Sequence, residues 1–409
     1  MKFQSINQYL KKYVKPYWKL REAYVRSVSF LKGLFNAPVK YKKRILFYNI
    51  MGLGYSGTDK FLQVLAKNLN KAEYDVYFMY ADKAIENSGV YDFTSRLQYL
   101  LDGQVFPIRF EYKNRESVQP YFVQGMSPNI FKVIKDFNID LLVTAGAGGP
   151  EFPFASVLNI PIIFINVFGE VNLQKNLQYH ICISKEVAKK LKGKVDEAKI
   201  KVMWVPSEGP VVNSKVYGQK LRTSLGIPEN DLVFGRIGRS SEGIFDPIGI
   251  RAFQRVVKKY PNVHYLIISP SKSLEKIVTD ERIPNVHFTE PSGEENKMWG
   301  FYEAMDVLAH FRKDGESFGL NIAEAMFCGK PIISHKSVIW NAHLEYLSPE
   351  FSMVADTDDV DTYERYMEIF VQDREKLKVM GEKAREFAQN NFHIRHHIED
   401  FEKMMKKSL

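Results

Sequence analysis

The sequence predicts an α/β protein built from two Rossmann-like, doubly wound domains that face each other across a cleft, preceded by a basic helical extension. From Arg44 onward, short β-rich runs alternate with helical patterns, which is typical of parallel sheets covered on both faces. This plan occurs twice, and 409 residues are too many for one hydrophobic core. Ligands of such sheets bind beyond the carboxyl ends of the strands, so motifs at those ends carry the functional argument.

The turn-forming residues 206–210 are interpreted as the domain boundary. We expect an extension over residues 1–43, domains over 44–206 and 207–390, and a terminal helix over 391–409. The predicted strands of the first domain are residues 45–50, 76–80, 141–145, 162–167, 180–183 and 201–205. Those of the second domain are residues 232–237, 264–268, 286–288, 307–310 and 331–334, and helices are predicted at 57–69 and 129–137.

Positive charge is concentrated at the N-terminus. Residues 1–44 carry a net charge of +11, so the chain total of +9 leaves −2 for the remainder. A near-neutral body argues against a nucleic-acid partner. No apolar run is long enough to cross a membrane, the N-terminus does not read as a secretory signal, and the two cysteines, Cys182 and Cys328, read as buried thiols in a reducing compartment. We therefore expect a cytoplasmic protein.

The basic extension has the pattern of an amphipathic helix. Its apolar positions recur at helical spacing with Lys and Arg between them, at Tyr17, Leu20, Tyr24, Val28, Leu31 and Phe35. Such a helix suits the surface of an anionic membrane, which would make the protein peripheral on the inner face of the membrane. The alternative is a helix that packs on the protein's own body with solvated lysines.

The sharpest motif follows the strand predicted at residues 307–310. Glu316 and Glu324 flank the start of a helix that we expect to end near Gly329. The amides of Phe318, Gly319 and Leu320 at that start would form an anion site for a diphosphate. The two carboxylates would accept hydrogen bonds from sugar hydroxyls rather than bind phosphate. The alternative is an acidic first turn that merely complements the helix dipole.

With Ala325, Met326 and the run over residues 329–333, this motif resembles the signature of retaining family 4 glycosyltransferases of GT-B fold. The resemblance covers roughly residue 44 to the C-terminus and is strong over 232–334. It implies transfer of a sugar from a nucleotide-sugar such as a UDP-sugar to an acceptor hydroxyl, in surface polysaccharide or glycolipid assembly. It also implies a terminal helix that crosses back to the first domain, a saccharide or lipid-linked acceptor, and no cofactor.

The same resemblance assigns roles at the donor site. Glu316 would be the catalytic residue that holds the donor sugar, and Glu324 would hold the ribose. Arg239 would hold the diphosphate. Ser317 would complete the loop before the helix start at residues 318–320, and Gly57 with Thr58 would face the donor from the first domain. Relatives often carry a lysine about five residues after this arginine, where this chain has Ile244. Arg236 or Lys313 would then supply the second positive charge, and we favour Lys313.

Gly52, Gly54 and Gly57 also form a GxGxxG pattern between a strand and a helix. This pattern is typical of dinucleotide-binding domains, so an NAD-dependent oxidoreductase is the alternative enzyme class. Asp82 lies farther along than the spacing of that fingerprint. The oxidoreductase interpretation also leaves Glu316 and Glu324 without a role.

On the acceptor side, Gly148, Gly149 and Glu151 follow the strand predicted at residues 141–145, where small residues allow a ligand to approach closely. A strained turn is the alternative. The family often has a histidine in this domain near the reacting carbon, but the run over residues 164–170 contains none. A non-catalytic relative that binds sugar nucleotides is therefore a second alternative. No metal site is expected, because Asp356, Asp358, Asp359 and Asp361 fit helix capping better than metal binding.

Overall fold

The computed structural model describes residues 41–49, 53–54, 56–81, 93–110, 118–119, 122–123, 130–151 and 153–409. The predicted amphipathic helix, Gly52 and Asp82 lie outside these ranges. Residues 44–409 form one compact unit. Over the described part of the chain, no helix is both long and apolar enough to cross a membrane.

The first sheet has seven strands in the order β3-β2-β1-β6-β7-β8-β9. Its strands are β1 Lys43–Asn49, β2 Tyr74–Ala81, β3 Phe106–Phe110, β6 Leu141–Gly146, β7 Ile162–Asn166, β8 Leu177–Cys182 and β9 Ile200–Val202. The helices among them are α1 Gly57–Asn68, α2 Phe93–Asp102, α3 Ile130–Asp136 and α4 Lys185–Leu191. A separate antiparallel pair consists of β4 Val118–Gln119 and β5 Phe122–Val123. We call the elements up to β9 the first half.

The second sheet has six strands in the order β12-β11-β10-β13-β15-β17. Its strands are β10 Leu232–Ile237, β11 Val263–Ile268, β12 Val286–Thr289, β13 Val307–Ala309, β15 Ile332–His335 and β17 Ser352–Ala355. The helices of this second half are α5 Ser214–Ser224, α6 Ile248–Lys259, α7 Lys272–Asp280, α8 Glu295–Ala304, α9 Leu320–Phe327, α10 Val360–Gln372 and α11 Arg374–Asn391. Beside the sheet lies the short parallel pair β14 Gly315–Glu316 and β16 Trp340–Asn341.

The two-domain prediction is confirmed, because both sheets are parallel and reverse their strand order in the middle, as doubly wound sheets do. The prediction of β10 matches to the residue, and the other predicted strands fall within a few residues of the observed ones. Two edge strands, β3 and β17, were not predicted. β3 contains a proline and β17 follows a turn, so neither has the apolar run of a central strand.

The chain passes between the halves twice, and the two passages are hydrogen-bonded to each other. Ser207 N donates to Phe392 O at 2.9 Å, and Ile394 N donates to Ser207 O at 2.9 Å. The ring of Phe392 is buried and lies 5.5 Å from Trp204, 5.6 Å from Phe318 and 5.1 Å from Tyr346. This aromatic cluster therefore packs against residue 318 of the predicted donor loop.

The last helix, α12 Ile398–Ser408, returns to the first half. Its Phe401 ring lies 6.4 Å from Phe47 of β1, and Glu402 accepts a hydrogen bond from Asn70 N at 2.7 Å. The predicted single helix over residues 391–409 is wrong in its start, because residues 392–397 are occupied by the second passage. Burial of Phe392 and the pairing with Ser207 outweigh the helical pattern there.

The β14–β16 pair has a strict steric requirement at Gly315. This residue has a φ of +72°, and a Cβ atom there would lie 1.8 Å from the carbonyl oxygen of Trp340. The close approach of the two backbones sets the position of Glu316, which pairs with Asn341. Glycine is therefore needed twice, for its backbone angle and for its missing side chain.

We predict that Gly315→Ala lowers the free energy of unfolding more than Gly226→Ala does. Gly226 has a φ of +68° but open space around its Cβ position, so it reports the backbone strain alone, about 1–2 kcal/mol. The clash at Gly315 should add about 1–3 kcal/mol. Urea denaturation measures both variants. Equal losses would show that the β14–β16 approach is not a steric constraint.

Candidate functional site

A cavity of about 490 Å³ lies where the two halves meet. Its walls are formed by residues that follow β10 and β13 at their carboxyl ends and by the start of α1. In the second sheet, β10 and β13 are the neighbours at which the strand order reverses, and β1 holds the same place in the first sheet. The cavity therefore occupies the position where doubly wound sheets bind ligands.

Two helices point their N-termini into this cavity. Gly57 begins α1 and Leu320 begins α9, and a Cβ atom on Gly57 would lie 3.7 Å from the Cβ of Leu320. Gly319 precedes α9 with a φ of +92°, a left-handed conformation that favours glycine. The first amides of a helix lack acceptors within the helix, and the dipole adds partial positive charge. Two such ends in one cavity favour an anion.

Glu316 lies between these helices and the cations of the second half. Its Oε1 lies 3.5 Å from His310 Nε2, and its Oε2 lies 3.5 Å from a guanidinium nitrogen of Arg312. Burial raises the pKa of Glu316 above its ordinary value, and the nearby Arg312 and Arg239 offset only part of that rise. Burial also holds the pKa of His310 well below its usual range, so this imidazole is neutral at pH 7. Arg312 is therefore the close charged partner of Glu316.

Glu324 is buried although it lies near the start of a helix. It is 4% exposed, and both oxygens are occupied. Oε1 lies 2.5 Å from Lys60 Nζ, and Oε2 accepts a hydrogen bond from Tyr302 at 2.6 Å. Glu324 is buried because the first half covers this face of α9. A charge buried in this way requires a partner, and Lys60 provides it.

The cations of the cavity are Lys60, Arg239 and Arg312. Arg239 is exposed at its edge. Lys313, which the sequence analysis favours as the second cation, is exposed outside the lining residues, whereas its neighbour Arg312 is one of them. Arg312 is held by Asp314 through two hydrogen bonds of 2.6 and 2.9 Å. Arg236, the other candidate, is buried outside the lining residues with its guanidinium 5.0 Å from the ring of Phe311.

The predicted acceptor-side residues Gly148, Gly149 and Glu151 do not line the cavity. Glu151 Oε1 accepts a hydrogen bond from Ala147 N at 2.8 Å, and a Cβ atom on Gly149 would lie 2.7 Å from Glu170 Oε2. The glycines of this loop therefore make room for polar groups of the protein itself. The alternative of a strained turn fits them better than close approach by a ligand.

The other predicted donor residues line the cavity together: Gly57, Thr58, Arg239, Glu316, Ser317, Phe318, Gly319, Leu320 and Glu324. The sequence analysis missed Lys60, Arg312, Tyr302, Phe168 and Trp340, which line it as well. For Lys60 a signal existed, because it lies in the first turn of the helix that follows the glycine-rich segment. Nothing in the local pattern distinguishes Trp340, whose ring lies 5.8 Å from that of Phe168 across the two halves.

Among the late aspartates, one acts as a helix cap. Asp359 precedes α10, and its side chain accepts a hydrogen bond from Thr362 N at 2.9 Å. Among the described residues, there is no group of three or more His, Cys, Asp or Glu side chains that could hold a metal ion.

Residues 219–387 match the model of the family described as glycosyl transferases group 1. The matched region runs from α5 into α11 and includes Arg239, Glu316 and Glu324. The prediction of a glycosyltransferase is thereby confirmed, and the oxidoreductase alternative finds no support. A search of curated protein sequences found no match to the chain.

Solved structures similar to this glycosyltransferase share the GT-B fold. HepE from Anabaena, in complex with UDP and glucose, aligns with a TM-score of 0.68 at 16% identity over 89% of this chain and 100% of its own. Sucrose-phosphate synthase from Thermosynechococcus elongatus gives 0.65 at 14% identity over 90% and 99%. The pneumococcal O-GlcNAc transferase GtfA, in complex with UDP and GlcNAc, gives 0.62 at 12% identity over 90% and 99%. These similarities establish the fold.

Two buried histidines pack against each other next to the site. His310 and His343 pack with ring centroids 6.2 Å apart, and His343 Nε2 lies 3.3 Å from the carbonyl oxygen of His335. Burial lowers the pKa of His343 to about 4. In the unfolded chain the pKa of this histidine is about 6.5. As the pH falls, the unfolded state therefore binds a proton at a higher pH than the folded state does.

We predict that His343 lowers the stability of the protein between pH 7.5 and pH 5 by about 2 kcal/mol, since the loss begins near the unfolded pKa and ends near the folded one. His343→Gln should remove this part of the pH dependence. Urea denaturation of both proteins at the two pH values measures it, and His396→Gln at an exposed histidine is the control. Identical pH dependence of wild type and His343→Gln would contradict the prediction.

Proposed function

We propose that this glycosyltransferase moves a sugar from a UDP-sugar to an acceptor hydroxyl, with retention of the anomeric configuration and without a metal ion. The observation that carries the proposal is the convergence of two helix N-termini, Arg239 and a pair of carboxylates in one cavity between the halves. A diphosphate needs the first two features, and sugar hydroxyls need the third. UDP bound to structural neighbours supports UDP as the nucleotide.

In this proposal the leaving diphosphate lies at the starts of α1 and α9, and Arg239 forms charged hydrogen bonds to it. Glu316 accepts hydrogen bonds from the donor sugar, and Arg312 orients Glu316 and favours its ionised form. The amides and Arg239 stabilise the charge that develops as the sugar–phosphate bond breaks, which is the role a metal ion has in other transferases. Retention is inferred from the resemblance to retaining glycosyltransferases.

We propose that the acceptor enters along Phe168 and Trp340. These rings line the cavity from opposite halves, and Lys190 Nζ lies 3.4 Å from the centroid of Trp340. Aromatic faces suit the apolar faces of sugar rings, so a saccharide or the sugar head of a lipid-linked acceptor fits this side. An acceptor of this kind would be used in surface polysaccharide or glycolipid assembly.

The composition of the basic extension supports a cytoplasmic location in which the protein binds the inner face of the membrane. Its charge of +11 over residues 1–44 is attracted to anionic lipids, and its aromatic residues suit the interface. Binding there would bring the cleft to a lipid-linked acceptor.

The function is tested by calorimetry with UDP, UMP, UDP-glucose, UDP-GlcNAc and NAD. We expect UDP and a UDP-sugar to bind and NAD not to bind. Arg239→Gln should weaken UDP binding by roughly 10- to 100-fold, because a charged hydrogen bond contributes about 1.5–3 kcal/mol. It should weaken UMP binding less, since UMP lacks the second phosphate.

The control for this variant is Arg374→Gln, an exposed arginine at the start of α11 away from the cavity. It should leave UDP affinity unchanged. Binding of NAD in preference to every UDP compound would refute the transferase proposal. Equal losses of UDP and UMP in Arg239→Gln would refute the diphosphate role alone. Release of UDP from a UDP-sugar in the presence of acceptor distinguishes an active enzyme from a non-catalytic relative.

Deletion of residues 1–40 should abolish binding to vesicles containing anionic phospholipid while UDP affinity is retained. Added salt should weaken the binding of the full chain, because exposed charges are screened over about 8 Å at physiological ionic strength. Vesicle sedimentation measures both. Vesicle binding that survives the deletion would place the membrane contact elsewhere. A truncated protein that aggregates, together with a full chain that never binds vesicles, would favour the packed-helix alternative.

A further inference from the structure

The ion pair between Lys60 and Glu324 crosses the cavity and joins the two halves. Lys60 lies in the first turn of α1, and Glu324 lies one turn into α9. The pair is 2.5 Å long, with side chains 9% and 5% exposed. Lys60 Nζ also contacts the sulfur of Met298 on α8. The ammonium group is thus enclosed by the second half although its backbone belongs to the first.

Both oxygens of Glu324 are used by the protein itself. Lys60 contacts Oε1 and Tyr302 contacts Oε2. Because the side chain of Glu324 is only 5% exposed, a ribose hydroxyl can reach the carboxylate only by displacing one of these two covering groups. Tyr302 is buried and rigid, whereas Lys60 has a flexible four-carbon stem. Lys60 is therefore the group that must move when a nucleotide binds.

A displaced Lys60 needs another anion in the same place. A buried ammonium group without a partner is strongly unfavourable. An anion bound at the start of α1 could replace Glu324 as the partner of Lys60. Gly57 begins that helix three residues before Lys60, and the start of α9 faces Gly57. Of the other cations lining the cavity, Arg312 is already engaged with Asp314.

We propose that Lys60 is a donor-binding residue that exchanges partners: the ribose displaces it from Glu324, and its ammonium group then binds the diphosphate. This inference rests on the proposed function and adds a residue from the first half to the donor site. The exchange also couples nucleotide binding to the contact between the halves, because the pair that it breaks is one that holds them together.

The exchange predicts opposite responses to two parts of the nucleotide. Calorimetry with inorganic pyrophosphate, uridine and UDP measures them for Lys60→Met, Glu324→Gln and the double variant. Lys60→Met should weaken pyrophosphate and UDP binding at least tenfold and leave uridine binding unchanged or stronger. Glu324→Gln should weaken uridine binding but strengthen pyrophosphate binding, because it frees the ammonium group.

The double variant is the decisive measurement. If Glu324→Gln acts on pyrophosphate by freeing Lys60, it should have no such effect when Lys60 is already Met. Lys67→Met is the matched control, because it removes another lysine of α1 that pairs with an acid, Glu208 at 2.9 Å, outside the lining residues, so pyrophosphate affinity should stay at the wild-type value. Lys60→Arg, which keeps the charge, should retain more pyrophosphate affinity than Lys60→Met. Melting temperatures check that each variant is folded.

Equal losses for uridine and pyrophosphate in Lys60→Met would show that Lys60 only holds the halves together, and would overturn the inference. Unchanged UDP affinity in that variant would overturn it as well, while binding of UDP by the wild type would leave the proposed function standing. A wild-type protein that binds neither UDP nor pyrophosphate would refute the proposed function and the inference with it.

Discussion

The carboxylates of Glu316 and Glu324 must be matched by cations, because both side chains are largely withdrawn from water. Much of the arrangement around the cavity follows from that requirement. Glu316 is matched within its own half by Arg312, and the short β14–β16 pair fixes the loop between them. Glu324 has its cation in the other half, at Lys60. One of the two acids thus organises the donor loop, and the other links the two sheets.

The same kind of link recurs along the contact between the halves. Lys67 of α1 lies 2.9 Å from Glu208 of the first passage, and Arg96 of α2 pairs with Glu295 at the start of α8. Glu345 of the second half acts in the same direction, since it accepts hydrogen bonds at 2.9 and 2.6 Å from the first two amides of α4 in the first half. Partly buried charged pairs favour one orientation more than they add stability. The contact is therefore specific in register, and a ligand that replaces one of its charges can act on the whole.

The sequence predicted the fold because buried parallel strands and helix starts are local patterns, and the Glu316–Glu324 spacing is one as well. It failed where tertiary contacts decide. Whether Arg312 or its neighbour Lys313 faces the cavity depends on the turn after β13. The burial of Glu324 depends on a lysine 264 residues away. The glycines at residues 148 and 149 look identical in sequence whether they admit a ligand or, as here, polar groups of the protein itself.

The charge of the cavity says how a nucleotide would be held. Among the described residues, three cations and two carboxylates line it, and the chain beyond residue 44 carries −2. This part of the protein therefore adds little long-range attraction for an anion. Attraction must therefore arise at contact, from the two helix starts and from cations that first release their internal partners. A site of this kind selects for ligands that offer hydroxyls and phosphates together, because hydroxyls can take over the carboxylates only while phosphates take over the cations. A free phosphate or a free sugar satisfies half of that exchange and leaves the other half unpaired.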